Sequence, residues 1–365
     1  MPQDMEEGRI VCTRIARVPE KHVRRLSRHI LRAGDIVFSR RGDVTRFAVV
    51  TNTEEGWLCG TGSIRIRLNC PDLDIGYVRR YLQQETAGNW LKHHAKGVTM
   101  PNLNTGVIRA LPFVYPPLPE QRRIAEVLDR AEGLRGKRRA ALAQLDTFTQ
   151  SIFLDLFGDA EAERWPVVSI ADFAHPGDGS IRTGPFGSQL LHSEFVDEGI
   201  AVLGIDNAVA NEFRWAERRF ISEAKYRQLK RYTVKPGDVL ITIMGTCGRC
   251  AVVPDDIPIA INTKHLCCIT LDREKCLPLF LHAYFLRHPL ARRYLEQTAK
   301  GAIMSGLNMG IIKAMPIPLP PLELQQEFSR RVAAVEKLRA AHRAALAEMD
   351  ALFASLQHRA FRGEL

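Results

Sequence analysis

The chain repeats itself. Residues 32–50 (RAGDIVFSRRGDVTRFAVV) lie over residues 235–253 (KPGDVLITIMGTCGRCAVV), pairing Gly34 with Gly237, Asp35 with Asp238, Gly42 with Gly245 and Arg46 with Arg249. A second block, residues 95–121 (AKGVTMPNLNTGVIRALPFVYPPLPEQ), lies over residues 299–325 (AKGAIMSGLNMGIIKAMPIPLPPLELQ), with one residue inserted between the blocks. The register continues into residues 119–157 over 323–361, pairing Leu134 with Leu338, Leu142 with Leu346 and Asp146 with Asp350. A period of about 200 residues is far too long for a solenoid or propeller unit, so the chain is a duplicated domain rather than a repeat array. Its 365 residues give each copy enough length to bury a core of its own.

Each copy reads as a mixed globular part followed by a long helix. GDIVFSRRG and GDVLITIMG are short β-branched runs bracketed by glycines, which is strand and turn chemistry. GYVRRYLQQETAGNWLKHH, SEAKYRQLKR and FLHAYFLRHPLARRYLEQ have helical spacing. From Glu120 to Phe157 no proline occurs, prolines precede and Gly158 follows. At 1.5 Å per residue such a helix would span about 60 Å.

A helix of that length needs a partner along it, and the repeat supplies one. A heptad frame with its first apolar row at Ile124 places Leu145 and Ile152 in that row, with Val127, Leu134 and Phe148 in the second. The same frame in the second copy takes Phe328, Val335, Met349 and Leu356, then Leu338 and Leu352. These twelve residues are the expected core of an antiparallel helix pair. Arg138 and His342 fall mid-helix in the first row of each, where a polar pair can set register. The alternative is that each helix docks only on its own globular part.

Charge narrows the partners. Lys and Arg number 51 against 41 Asp and Glu, for a net charge of +10, which suggests a polyanion such as nucleic acid or an anionic membrane surface. Most of the excess lies in residues 1–115, with 18 basic and 11 acidic residues. No run approaches about 18 uninterrupted apolar residues, and the first thirty residues are charged throughout, with no apolar core of a signal peptide. We expect no membrane partner and a cytoplasmic location.

The two exits, PPLPEQRRIAEVLDRAEGLRGKRRAALAQLDTFTQSIFLDLFGD and PLPPLELQQEFSRRVAAVEKLRAAHRAALAEMDALFASLQHRAFRGEL, resemble the two helical regions of the specificity subunits of type I restriction-modification systems. Upstream of each, Leu103-Asn104 and Leu307-Asn308 before a proline-rich strand resemble the end of a target-recognition domain. The resemblance covers the whole chain. It implies an α+β fold: two pseudo-symmetric β-rich target-recognition domains separated by two long helices packed as an antiparallel coiled coil. The expected divisions are 1–117 and 159–319 for the recognition domains, and 118–158 and 320–365 for the helices.

The resemblance further implies a non-catalytic subunit that reads a bipartite double-stranded DNA target, the helix pair fixing the distance between halves. Two methyltransferase subunits and the restriction subunits would dock on it. S-adenosylmethionine, ATP and magnesium would belong to those partners, with no cofactor in this chain. In one place the sequence departs from the family pattern. The first copy has no counterpart of residues 165–203, so we expect its recognition domain to be incomplete on its N-terminal side, through a misassigned start, a truncation, or a domain that folds without its opening strands.

Four constellations are candidates for touching DNA. RTGPFGSQ offers Arg182, Ser188 and Gln189 to base edges or phosphates, although a plain strand-connecting loop is an equal reading. GDVTR and GTCGR are hairpin turns that share Arg46 and Arg249, with Arg40 and Arg41 just before the first. NTKHL carries Lys264 and His265 where the first copy has Thr61 and Gly62. AKGVTMPNLN and AKGAIMSGLN flank Lys96, Thr99, Asn102, Lys300 and Ser305 with small residues that allow close approach to a phosphate, while Asn104 and Asn308 are alternatively helix caps.

Two chemistries are disfavoured. Cys247-x-x-Cys250 with Cys267-Cys268 superficially suggests a zinc ribbon, but the second pair lacks a gap and the first copy has Val44, Phe47, Ile64 and Arg65 at these places, so no metal is expected. Intrinsic catalysis lacks its motifs. There is no GxxxxGK[ST] loop, Val114-Tyr115-Pro116-Pro117 has the wrong order for an adenine methyltransferase, and Glu223-Ala224-Lys225 lacks the Pro-Asp of a nuclease.

Overall fold

The computed structural model describes residues 2–11, 15–97, 101–158, 165–299 and 307–365. The chain forms two compact units, one of Met1–Ala141 with His342–Leu365 and one of Leu142–Ala341. No described helix is long and apolar enough to cross a membrane.

The first unit begins with the short strands β1 (Met5–Glu6) and β2 (Arg9–Ile10) and helix α1 (Glu20–Arg25). Strands β3 (Ile36–Ser39), β4 (Phe47–Val49) and β5 (Ser63–Ile66) follow, then helices α2 (Ile75–Leu82), α3 (Glu85–His94), α4 (Thr105–Arg109) and α5 (Leu118–Phe157). The antiparallel sheet has the order β4-β3-β5, with Ile36 opposite Val49 and Ile66. Alternation along β3 divides the core. Ile36 and Phe38 pack with Val44, Phe47, Val78, Leu82, Leu91 and Leu103, while Val37 turns to Met5, Leu31, Ala48 and Val50.

The second unit opens with β6 (Val167–Ser169), β7 (Ile181–Thr183), β8 (Phe195–Val196) and β9 (Ile200–Leu203). It continues with β10 (Phe220–Ile221), α6 (Glu223–Leu229), β11 (Thr233–Val234), β12 (Val239–Thr242), β13 (Cys250–Val252), β14 (Ala260–Asn262) and β15 (Leu266–Ile269). Helices α7 (Pro278–Arg287), α8 (Pro289–Ala299) and α9 (Met309–Lys313), strand β16 (Pro316–Pro318) and helix α10 (Leu322–Ala360) complete the chain. One sheet has the order β13-β12-β15-β7 and another β11-β14-β9-β10-β8, with β14 and β9 parallel. Ile241 and Cys267 face Phe153, Phe157, Phe280, Tyr284 and Phe328, whereas Leu240 and Cys268 face Ala201, Leu203, Val234 and Ala260. Strands β12, β13 and β15 lie 203 residues after β3, β4 and β5, so the sequence repeat is a repeat of sheets.

Each long helix starts on the same device. Gln121, fully buried, accepts from the Asp74 N–H at 2.9 Å and donates to the carbonyls of Asp72 at 2.7 Å and Pro116 at 2.8 Å. Its twin Gln325 accepts from the Leu277 N–H at 2.8 Å and donates to Lys275 O at 3.1 Å and Pro320 O at 2.9 Å. Both amides thus tie the first helical turn to the entry of α2 or α7. Truncating either to alanine leaves buried main-chain groups unpaired, and we expect each variant to lose about 2 kcal/mol in its own unit. Denaturant unfolding with amide exchange resolved by unit checks this; an unchanged midpoint would mean that water replaces the amide at no cost.

Helices α5 and α10 pack antiparallel within each unit. In the first, Arg135 donates to Asp350 at 2.6 Å and lies 4.4 Å from the Phe353 ring centroid, and Arg138 donates to Nδ1 of His342 at 3.0 Å. In the second, Phe153 and Phe157 meet Phe328, and Arg339 lies 3.3 Å from Asp146. The pair Arg135–Asp350 and the pair Arg339–Asp146 are twins.

The helix seam differs from the expected one in its second row. Ile124, Ile152, Phe328 and Val335 are buried, and Val127, Leu145, Met349 and Leu356 are half-buried. Leu134, Phe148, Leu338 and Leu352 instead face outward, 51%, 55%, 48% and 58% exposed. The inward second row runs one residue later, through Leu128, Arg135, Leu142, Thr149 and Leu156, and through Val332, Arg339, Leu346, Phe353 and Ala360. The arginines enter this row because their aliphatic stems cover apolar surface while their heads reach carboxylates.

Candidate nucleic-acid interface

Three loops meet at one end of the β13-β12-β15-β7 sheet in the second unit. The register places Thr183, Thr242 and Leu266 at that end, so the loops at 184–189, 243–249 and 262–265 emerge together. They are bonded to one another: Gly184 N donates to Thr263 O at 3.3 Å, Ile243 N to His265 O at 2.9 Å, and Thr242 N to Arg249 O at 2.9 Å. Gly184 is obligatory, because a Cβ there would lie 2.0 Å from the Asn262 carbonyl oxygen.

On this scaffold Ser188, Gln189 and Arg249 are exposed, and Lys264 and His265 are half-exposed. Gln189 accepts from the Tyr232 hydroxyl at 2.9 Å and from the Phe186 N–H at 3.2 Å, which orients its amide. Arg249 has no ion-pair partner among the described residues, whereas its twin Arg46 lies 3.2 Å from Asp43. Desolvation, together with the cations of Lys264 and Arg219, holds the His265 imidazole below its ordinary pKa. It is therefore neutral at pH 7 and offers one donor and one acceptor. Arg219, bonded to Asp206 at 3.1 Å, joins the cluster. The sequence reading missed it, because only the fold brings the WAERRF run to the NTKHL loop.

Arg182 does not belong to this surface. It is 9% exposed, and its guanidinium donates to Asp238 at 2.7 Å, Thr270 at 3.0 Å, Gly179 O at 3.1 Å and Thr233 O at 2.6 Å. Arg182 sits on β7, where its side chain crosses the sheet interior to neutralise a buried carboxylate, so it is a structural residue.

In the first unit, main-chain bonds draw two of the candidate segments together. Leu103 N donates to Arg40 O at 2.9 Å, Gly42 N to Pro101 O at 3.2 Å, and Lys96 and Asn102 exchange bonds of 3.0 and 2.9 Å. Arg40, Arg41 and Lys96 are exposed beside Asn102, and Arg46 sits across the β3–β4 turn. Asn104 and Asn308 are helix caps, accepting from Val107 N and Ile311 N at 2.9 Å each. Thr99, Lys300 and Ser305 lie outside the described residues.

Of the four cysteines at 247, 250, 267 and 268, Cys250, Cys267 and Cys268 are buried in the core and Cys247 is half-buried. Cys267 and Cys268 point to opposite faces of β15, so they do not converge on one ion. Burial pushes the Cys267 thiol up to about 12 and raises Cys250 and Cys268 as well, which makes them inert apolar residues.

The architecture is thus that of a duplicated α+β protein whose halves share a three-stranded antiparallel core, β4-β3-β5 and β13-β12-β15, and the loops that join those strands. Residues 5–143 and 198–348 match the type I restriction modification DNA specificity domain, and the chain belongs to that family. It is 25% identical over 324 residues to the type I restriction enzyme EcoBI specificity subunit of Escherichia coli, covering 79% of this chain and 66% of that protein. A putative type I restriction enzyme MjaX specificity subunit of Methanocaldococcus jannaschii is 22% identical over 354 residues, covering 92% and 79%. The chain spans slightly less than two thirds of the EcoBI subunit. Among solved structures it resembles a chain from a type I restriction-modification system studied for complex assembly and conformational transition, with a TM-score of 0.61, 19% identity and coverage of 100% and 90%. The S subunit of such a system from M. genitalium gives 0.53, 15% identity and coverage of 90% and 82%. These likenesses concern the fold.

Proposed function

We propose that the chain is the non-catalytic DNA-specificity subunit of a type I restriction-modification complex. Residues 1–117 and 159–319 would each face one half of a bipartite double-stranded target, and 118–158 and 320–365 would form the helical spacer. One observation carries this reading: twin sheets present twin loops with different side chains. Where the first unit has Arg40-Arg41 and Thr61-Gly62, the second has Ile243-Met244 and Lys264-His265. The same scaffold with different chemistry at its reading end suits two unlike half-sites.

The outward rows of the long helices supply surfaces for protein partners. Leu134 and Leu352 in the first unit, and Phe148 and Leu338 in the second, are large apolar side chains left exposed at twin positions. Two equivalent patches suit two copies of one methyltransferase subunit, with restriction subunits joining that assembly. S-adenosylmethionine, ATP and magnesium would enter with those partners.

Co-expression with type I methyltransferase subunits tests the reading. We expect the chain to co-purify with them and adenine methylation to appear at one motif of two fixed halves separated by unspecified bases. Methylation without such a motif, or cleavage or methylation of DNA by the purified chain alone, would overturn it.

A further inference from the structure

The loop end of the β13-β12-β15-β7 sheet is not wholly polar. Phe186 and Met244 stand on two of its three loops and are 48% and 37% exposed. Both leave a fixed backbone. Gly184 and Pro185, just before Phe186, are buried, and the turn that follows closes on itself, with Gln189 N donating to Phe186 O at 3.2 Å. Ile243, just before Met244, is buried and donates its N–H to His265 O at 2.9 Å. The two side chains are thus presented beside Ser188, Gln189 and His265 rather than on extended arms, with apolar surface left in water.

The surrounding charge says what covers them. Arg219, Arg249 and Lys264 share this end of the sheet, so an apolar protein face laid over it would strip water from three cations, whereas a polyanion would neutralise them. On duplex DNA the choice of contact is then narrow. Base faces are stacked away, and the base edges in both grooves are polar except for one group, the C5-methyl of thymine in the major groove. Pressing a phenylalanine or methionine against any other edge would desolvate a base donor or acceptor with no bond in return.

The repeat supplies a contrast. The twin of Met244 in the first unit is Arg41, also exposed. One turn position therefore carries a guanidinium, suited to guanine O6 and N7, in one unit and a thioether chain, suited to a methyl group, in the other.

We propose that Phe186 and Met244 are specificity-determining residues that read a C5-methyl group in the major groove, so that the half-site facing the second unit contains a thymine. This rests on the reading of the chain as a DNA-specificity subunit. The neighbouring cations hold the duplex against the loops through its phosphates, and the apolar pair rejects a base whose edge is polar at that place. 5-Methylcytosine carries the same methyl group and is the one other source of it considered in the test.

The test is to select sites for the full chain from a random-sequence duplex pool and then exchange single bases in the selected site. Deoxyuridine in place of one thymine removes only the methyl and is expected to weaken binding about fourfold, the worth of one buried methyl group. 5-Methylcytosine there is expected to bind about fourfold better than cytosine and less well than thymine; binding tighter than thymine would overturn thymine as the source. The double variant Phe186→Ala, Met244→Ala is expected to bind the thymine and deoxyuridine duplexes alike, with the native salt dependence and unfolding midpoint, while Phe186→Leu keeps part of the discrimination. The proposal is overturned if deoxyuridine binds as well as thymine at every position, or if discrimination survives in the double variant. It is equally overturned if 2-aminopurine fluorescence in the site rises on binding to the native chain alone, without deoxyuridine discrimination, because Phe186 would then be a wedge between bases. A native chain that enriches no sequence would sink the DNA-specificity reading and this inference together, whereas the other adverse results leave that reading standing.

Discussion

Arg182→Ala is expected to cost the second unit about 3–5 kcal/mol, the usual result of removing one member of a buried ion pair. Asp238 is 1% exposed and would keep only the Lys235 N–H at 2.9 Å and the Cys268 thiol as partners. Thr233 and Gly179 would each lose a donor to their carbonyls. The loss should appear as a lower denaturant midpoint and faster exchange of β12 and β15 amides, with β3 and β5 unaffected. Under conditions where the variant stays folded, DNA affinity should be near that of the native chain. An unchanged midpoint with weakened DNA binding would return Arg182 to the reading surface.

The converse pattern is expected for the triple variant Arg219→Ala, Arg249→Ala, Lys264→Ala. These side chains are at least partly exposed on loops whose geometry is set by main-chain bonds, so unfolding should barely change. If all three meet phosphates, the slope of log affinity against log salt should shrink by about 2.7, and affinity should fall about a hundredfold or more near physiological salt. His265→Ala should leave the slope alone, because the imidazole is neutral, and should instead alter base preference in the second half-site. A slope equal to the native one in the triple variant would show that these cations do not contact the backbone of the DNA.

Much of the fold was legible in the residues because the repeat reports on itself: Gly34-Asp35 and Gly237-Asp238, or Gln121 and Gln325, recur where the same bonds are made twice. The long helices were legible from their length and punctuation. Their second seam row was not. Leu134, Phe148, Leu338 and Leu352 are more apolar than Arg135, Thr149 and Arg339, and a heptad frame chosen by hydrophobicity selects them, although the inward row buries arginine stems. The candidate site was legible in part. Lys264, His265 and Arg249 are brought together by the end of one sheet, but an arginine in a glycine-rich loop looks the same in sequence whether it faces solvent or Asp238. Arg219 lay beyond reach because its neighbours are distant in the chain.

The contact between Gly184 and the Asn262 carbonyl has a consequence for how such a surface changes over generations. Any side chain at 184 would collide with main chain, so the loops at 184–189 and 262–265 are held at one immovable point. Ser188, Lys264 and His265 are free to vary around it without redirecting the backbone, whereas Gln189 also holds the Phe186 N–H. Substitutions at these positions therefore change the chemistry of the surface one side chain at a time while the geometry of the two loops stays fixed.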